Sequence, residues 1–233
     1  MKLTVLGCNG PFPAPNGACS GYLLEAEGAR VLIDCGTGVL ARLTSLMPPE
    51  TLDAVVLSHL HYDHMSDMLP LVYRMQGQTR RLPVYAPTQP AALCALLDGA
   101  FEMHDLAAGG QVGTLRLTAF PVRHPVPCFA TRFEAEGKAF CYTGDTNTCP
   151  GLAEFAADCD LLLVDACFTV AQWGQDKPHL SARLAAELAR QAGAHALLLT
   201  HFHPDTPAER LLPEAQASYP AVRAAQVGLT AEI

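Results

Sequence analysis

The segment Ser58-His59-Leu60-His61-Tyr62-Asp63-His64 places three imidazoles and a carboxylate within six residues at the end of an apolar run. His59 and His61 stand two apart, so on an extended backbone their side chains point the same way. Asp63 and His64 follow in the turn and can aim at a second point beside the first. Imidazole nitrogen and carboxylate oxygen are ligands suited to zinc, iron or manganese. Read blandly, the segment is a polar loop with incidental histidines, but the whole chain holds only 9 of them. Four donors are too few for two metals, and three more ligand-capable residues follow other apolar stretches. His124 follows 115–122, Asp145 follows Phe140-Cys141-Tyr142-Thr143-Gly144, and His201 follows Leu197-Leu198-Leu199-Thr200. Open sheets gather their sites at strand ends. Singly, each of the three also suits an ordinary polar loop; beside the cluster they read together as ligands.

The elements that must position these residues alternate along the chain. Segments 2–6, 21–26 and 30–34 are predicted strands, the last two joined as a hairpin through Glu27-Gly28. Val39, Leu40, Leu43 and Leu46 mark a helix closed by Pro48-Pro49. A strand at 54–58 runs into the histidine cluster, followed by helices over 67–76 and 89–97 with a strand at 83–86 between them. From 114 to 145 the pattern becomes period-two, with Glu136-Gly137 turning one strand into the next. The last third gives a strand at 161–166, a helix at 181–192, a strand at 196–200, a helix at 208–217 and a terminal strand around 225–230. Strands followed by helices in each half imply an α/β fold of mixed sheets covered by helices on their outer faces.

A length of 233 residues with 50% apolar and 16% charged residues fits one domain over 1–233 and excludes a disordered chain or a polar solenoid. The apolar stretches, such as 161–164 and 196–199, fall far short of the ~18 residues of a membrane span. The opening residues lack a signal peptide's apolar region. A soluble, cytoplasmic protein is expected, with no membrane partner. The 9 cysteines include no pair spaced by two residues, which excludes a zinc ribbon or a thioredoxin-like pair and predicts reduced, mostly buried thiols. A net charge of −8 repels a long polyanion while leaving room for a local site that holds a small anion.

His59-x-His61-x-Asp63-His64, with Asp34 before it and His124, Asp145 and His201 after it, resembles the metallo-β-lactamase superfamily across all five of its sequence motifs. That resemblance implies a four-layer αββα sandwich with a dinuclear metal site at one edge of the two sheets. It implies two divalent ions, zinc first, with manganese or iron as alternatives. His59, His61 and His124 would hold the first ion, Asp63, His64 and His201 the second, and Asp145 would bridge them. Asp34 would orient a ligand from behind. Ser58 to Asp67, Tyr142-Thr143-Gly144-Asp145-Thr146 and Lys177-Pro178-His179-Leu180-Ser181 are similar to motifs of the ribonuclease-Z-like branch. By that likeness His179 sits beside the metals for phosphate binding or proton transfer, and with Asp63 it completes the expected catalytic groups.

The sequence also departs from ribonuclease Z. Only 20 residues separate His124 from Asp145, too few for that family's projecting tRNA-binding arm. The opening Leu6-Gly7-Cys8-Asn9-Gly10-Pro11-Phe12-Pro13 lacks its usual glycine- and serine-rich form. The pattern is similar to small arm-less ribonuclease-Z-like hydrolases. His203 is a further site candidate, being two residues from His201. His104 and His195 read as surface residues, Cys35 as core, and Arg74, Arg80 and Arg81 as a solvated helix end. Trp173, Phe168 and Met65 read as packing residues that could wall the pocket.

Three functions compete. The first is a dinuclear phosphodiesterase acting on a small nucleotide-like substrate, such as a cyclic or short nucleotide, through a metal-activated hydroxide. The second keeps the site but attacks a carbonyl, as a thioesterase or lactonase does. The third is a metal-binding sensor without catalysis. The first is favoured, with a small-molecule phosphodiester as partner, no long nucleic acid, and room for a homodimer.

Overall fold

A strand with no polar residue must be covered on both faces, and Val31-Leu32-Ile33 is fully buried along its length. The structure, a computed structural model describing residues 1–233, shows two layers meeting at that strand. In chain order the first half runs β1 (Lys2–Gly7), β2 (Gly21–Ala26), β3 (Ala29–Ile33), α1 (Val39–Leu46), β4 (Ala54–Val56), α2 (Tyr62–Met65), α3 (Met68–Arg74), β5 (Pro83–Ala86), α4 (Ala91–Asp98) and β6 (Glu102–Asp105). The second half runs β7 (Gly110–Val112), β8 (Leu115–Pro121), β9 (Phe129–Ala135), β10 (Lys138–Tyr142), α5 (Leu152–Phe155) and β11 (Leu161–Asp165). It continues through α6 (Ala182–Ala192), β12 (Leu197–Thr200), α7 (Ala208–Gln216), β13 (Arg223–Ala224) and β14 (Thr230–Glu232).

The strands form two seven-stranded sheets, ordered β14-β1-β2-β3-β4-β5-β6 and β13-β12-β11-β10-β9-β8-β7. Each sheet is antiparallel on one side and parallel on the other, switching at β3 in the first and β10 in the second. Leu3, Val5, Tyr22, Leu24, Val31 and Ile33 of the first sheet join Leu117, Phe133 and Phe140 of the second in one apolar cluster. The alternate residues Leu23, Leu32 and Val55 pack against Val39, Leu43, Leu71 and Leu97 of the helices outside that sheet. On the far side, α6 and α7 bury Ala185, Ala186, Ala189, Leu211 and Ala215 in the first cluster. The result is the expected αββα sandwich of mixed sheets.

One expectation needs correction. The single terminal strand expected around 225–230 is two short strands in different sheets: β13 extends the second and β14 pairs with β1. Between them the chain crosses over at Gly228, whose φ of +87° suits glycine. The face of α6 that meets the core is alanine (Ala182, Ala185, Ala186, Ala189, Ala192), while Leu184 and Leu188 are only half-buried. Small side chains let that helix lie close on β11 and β12. The same helix begins at Ala182 with Ser181 as its cap, Oγ accepting from the Leu184 N–H, so His179 lies two residues before the cap. Edge strands β6 and β7 escaped the sequence pattern because Glu102, His104 and Gln111 are not apolar.

Seven of the 9 cysteines are buried, as expected of core thiols. No helix is long and apolar enough to cross a membrane.

Candidate metal centre

The ends of β3, β4, β8, β10, β11 and β12 deliver the chemistry-bearing residues to one edge of the two sheets. Two of them leave their strands through unusual backbone: Asp34 has φ +55° and His201 φ +60°. Gly144, one residue before Asp145, has φ +59°. Left-handed backbone at a non-glycine residue costs on the order of 1–3 kcal/mol and gathers where the surroundings enforce a functional geometry. After β4 the chain runs extended through His59 and His61, then coils once as α2, with the His64 and Met65 N–H groups both donating to the His61 carbonyl. That single helical turn, where a plain turn was expected, carries Asp63 and His64 inward. Gly36 makes room for it: a Cβ there would lie 1.9 Å from the Asp63 carbonyl oxygen.

Seven of the candidate ligands fall into two groups that share one residue. His59, His61, His124 and Asp145 form the first, and Asp63, His64, Asp145 and His201 the second, with the donor atoms of each group within 4.8 Å of one another. His61 Nδ1 lies 3.1 Å from His59 Nε2 and 3.1 Å from His124 Nε2. Asp145 Oδ2 is 3.6 Å from His59 Nε2, 3.2 Å from His64 Nε2 and 3.3 Å from His201 Nε2. Ligands at 2.0–2.1 Å around a tetrahedral ion stand about 3.3 Å apart, so these spacings fit a metal ion.

The hydrogen bonds behind the rings fix which nitrogen faces inward. Asp34, fully buried, accepts from the Ser58 N–H (2.8 Å), the Ser58 hydroxyl (2.9 Å), His64 Nδ1–H (2.8 Å) and the Tyr142 hydroxyl (2.9 Å). Because the Ser58 hydroxyl is spent on Asp34, its oxygen accepts from His59 Nδ1–H at 3.1 Å. His124 Nδ1–H donates to the Pro178 carbonyl (3.3 Å), and His201 Nδ1 pairs with the Ser20 hydroxyl (3.1 Å). The Nε2 atoms of His59, His64, His124 and His201 are thereby turned to the centre. His64 Nε2, His201 Nε2 and Asp145 Oδ1 are buried without a hydrogen-bond partner. Buried polar atoms left without a partner in this way are rare in proteins, and a bound cation would satisfy their lone pairs.

Charge follows burial. Desolvation pushes His59, His61 and His201 below the usual histidine range and His124 down to about 4. Burial also lowers His64, but the carboxylates of Asp145, Asp34 and Asp63 outweigh it and hold the ring well above its usual value. Burial raises Asp63 to about 6.

His179 lies outside these two groups and forms a third cluster with Asp145 and Asp165. Its Nδ1–H donates to Asp165 Oδ2 at 2.8 Å and stands 3.8 Å from Asp145 Oδ2, and its ring stacks on His201 with centroids 4.9 Å apart. It is only 12% exposed. Burial lowers its pKa, but Asp165 and then Asp145 overcome that and raise it to about 9. Asp165 itself is pushed up to about 6 by burial, with His179 opposing. It was missed in the sequence, although a carboxylate directly after Leu161-Leu162-Leu163-Val164 obeys the strand-end pattern that marks Asp145 and His201. His203 does not join the donor groups; its ring meets Phe12 edge-on instead. Met65 is buried core, Phe168 packs edge-on against His179, and Trp173 Nε1–H donates to Asn147 Oδ1. Arg74 pairs with Glu50, Arg80 with the Leu52 carbonyl and Arg81 with the Asp98 carbonyl, so none is aimed at the site.

The Beta-lactamase superfamily domain family matches residues 29–202. The probable metallo-hydrolase YhfI of Bacillus subtilis is 36% identical over 213 residues, covering 86% of both chains. Its crystal structure, described as a metallo-β-lactamase fold protein, superposes with a TM-score of 0.93 at 33% identity over 98% of this chain and 97% of that one. Ribonuclease Z of Methanopyrus kandleri is 30% identical over 277 aligned positions, covering all of this chain and 98% of that protein. A diphosphatase of the PhnP family shares the fold, with a TM-score of 0.78 at 23% identity over 100% of this chain and 97% of that one. The chain belongs to the β-lactamase superfamily, as a metallo-hydrolase of the metallo-β-lactamase fold.

Proposed function

We propose that this protein is a dinuclear metal-dependent phosphodiesterase acting on a small, nucleotide-like phosphodiester, with residues 1–233 working as one domain. The observation that carries the reading is Asp145, whose single carboxylate belongs to both histidine-rich donor groups, while His179, 3.8 Å away, joins it only in a separate cluster with Asp165. His59, His61 and His124 would hold one ion, Asp63, His64 and His201 the other, and Asp145 both. The all-nitrogen-and-oxygen donor set with no cysteine suits zinc, with manganese or iron able to replace it. When bound, the two ions supply Lewis acidity toward the phosphoryl oxygens and lower the pKa of water toward neutrality.

The chain's own residues supply the rest. Asp34 holds His64 directly and His59 through Ser58, so the donors meet an ion without reorganising. His179, with a pKa near 9, carries its proton at neutral pH. Asp165 occupies Nδ1, which leaves Nε2–H as the proton to hand to the departing alkoxide oxygen. The ribonuclease Z relative, matched over its whole length, supports phosphodiester chemistry. The nine free cysteines suit a reducing cytoplasm.

The test is a rate panel on zinc-reconstituted protein over cyclic nucleotides, dinucleotides, thioesters and lactones. Turnover should be highest on a phosphodiester. A marked preference for thioesters or lactones would replace this reading with carbonyl hydrolysis at the same site.

A further inference from the structure

Phe12 is 47% exposed, an unusual position for a large apolar side chain next to a polar centre. Its loop is pressed against the second donor group: a Cβ added at Gly10 would lie 2.0 Å from His201 Cε1. The Gly10 N–H donates to the Phe202 carbonyl at 3.1 Å, and Phe202 N–H to the Cys8 carbonyl at 2.8 Å. Asn9 adds two ties, its Nδ2 donating to the Phe202 carbonyl (3.3 Å) and its Oδ1 accepting from the Ala14 N–H (3.4 Å). The loop and the exit of β12 are therefore one piece.

On that piece Phe12 meets His203, with ring centroids 5.3 Å apart and planes at 80°. Phe12 is two residues beyond Gly10, and His203 two beyond His201; two residues of chain reach at most about 7 Å. The Asp205 N–H donates to His203 Nδ1 at 3.2 Å, and the Asp205 carboxylate lies 3.8 Å from the same nitrogen. With Nδ1 accepting, the ring proton of neutral His203 sits on Nε2, where it can donate.

An exposed ring held edge-on by a second ring, with a hydrogen-bond donor alongside, is suited to a planar heterocycle carrying acceptors. In a nucleotide such a group lies one sugar away from the phosphate. We infer that Phe12 and His203 form a base platform, which stacks and orients the nucleobase of a substrate whose phosphate occupies the metal centre. This rests on the phosphodiesterase reading and narrows it to nucleotide over aliphatic phosphodiesters. Phe12 supplies the stacking face, and His203 braces it and donates to a ring nitrogen or carbonyl of the base.

The platform predicts binding as well as rate. Calorimetry on the zinc-reconstituted full chain compares adenosine 5′-monophosphate with ribose 5-phosphate, which differ by the base. Stacking of one base on an aromatic side chain corresponds to roughly 5- to 150-fold in affinity, so the wild type should prefer the nucleotide by a factor in that range. Phe12→Ala should bring the ratio near one with the ribose 5-phosphate affinity and the thermal midpoint unchanged, Phe12→Trp should restore it, and His203→Ala should reduce it. A wild type that binds the nucleotide no better than ribose 5-phosphate, or not at all, overturns the platform, as does a preference indifferent to Phe12. If phosphodiesters are cut while the preference ignores Phe12, the platform falls and the reaction stands. If the preference depends on Phe12 while no phosphodiester is cut, the reaction falls and the platform stands.

Discussion

At the scale of single residues, the roles proposed for Asp145 and His179 are ones that mutation can separate. Asp145 Oδ2 faces histidines of both donor groups, so Asp145→Ala should lower metal content from two ions to at most one, read by elemental analysis; a variant that keeps two ions and full turnover removes its shared role. His179 completes neither group, so His179→Ala should retain both ions while turnover falls by about 10²- to 10⁴-fold, the range of a lost proton donor. Asp165→Asn should keep the metal and lose part of the rate by releasing Nδ1–H of His179. Wild-type rates in both variants would make the pair structural, and loss of metal in His179→Ala would make it a ligand. The same histidines set an acid limit on the metal-stripped protein. Burial holds His124 at about 4 and lowers His59, His61 and His201. Below pH ~6.5 the unfolded chain binds protons that the folded chain refuses, so stability falls as pH falls from there toward 4. Asp63 and Asp165, raised by burial from 3.8 to about 6, oppose this in part, since folded protein keeps their protons longer. His64 and His179 are raised, so their contribution is complete below pH ~6.5 and does not oppose it. The thermal midpoint of chelator-treated protein should drop between pH 7 and pH 5; a rise would contradict the sign. The candidate donors stood out in the sequence by their residue type and by lying at or just beyond strand ends, as the structure also places them. Asp165 follows the same pattern, but only its distance to His179 shows what it does.

At the scale of elements, period and punctuation carried most of the fold. Strand β5 and helix α1 lie where the pattern puts them, and Glu27-Gly28 and Glu136-Gly137 turn the hairpins expected of them. What failed has a common cause: polarity on a sheet edge and chain crossing between sheets leave no periodic trace. Strand β6 is recognisable only by its parallel register with β5, Val84 opposite Met103, and the β13–β14 crossing only by which sheet each half joins. The face of α6 toward the sheet is alanine because close approach to a sheet selects small residues. Glycine at position 36 is the tightest local demand of the site, since the turn α2, which carries Asp63 and His64, lies against it. Gly36→Ala should therefore cost about 1–3 kcal/mol, the ordinary range for overpacking, and weaken metal retention by moving Asp63. A denaturant midpoint and a metal content both equal to the wild type would show that α2 shifts freely.

At the scale of the whole molecule, the two sheets decide how large a substrate the centre can hold. His124 follows β8 and Asp145 follows β10, and the chain between them is spent on β9, β10 and the Glu136-Gly137 turn. No segment projects there that could grip a folded RNA away from the cut. The net charge of −8 disfavours a long polyanion, and the Arg74, Arg80 and Arg81 cluster is held by Glu50 and by main-chain carbonyls. A protein that holds a long polyanion needs several unpaired cations to displace its counterions, with an affinity that falls steeply in salt. A small phosphodiester needs only the charge at the centre itself. The likeness to ribonuclease Z along the whole chain makes the contrast testable, because the donor groups alone would serve either substrate. Precursor tRNA with a 3′ trailer and a cyclic nucleotide should be offered to the same zinc-reconstituted preparation at low and at physiological salt. The cyclic nucleotide should be cut at both, with a rate that depends little on salt, and the trailer should be retained. Efficient trailer removal that collapses as salt rises would mean that cationic residues elsewhere on the surface grip RNA, and the small-substrate reading would give way to RNA processing.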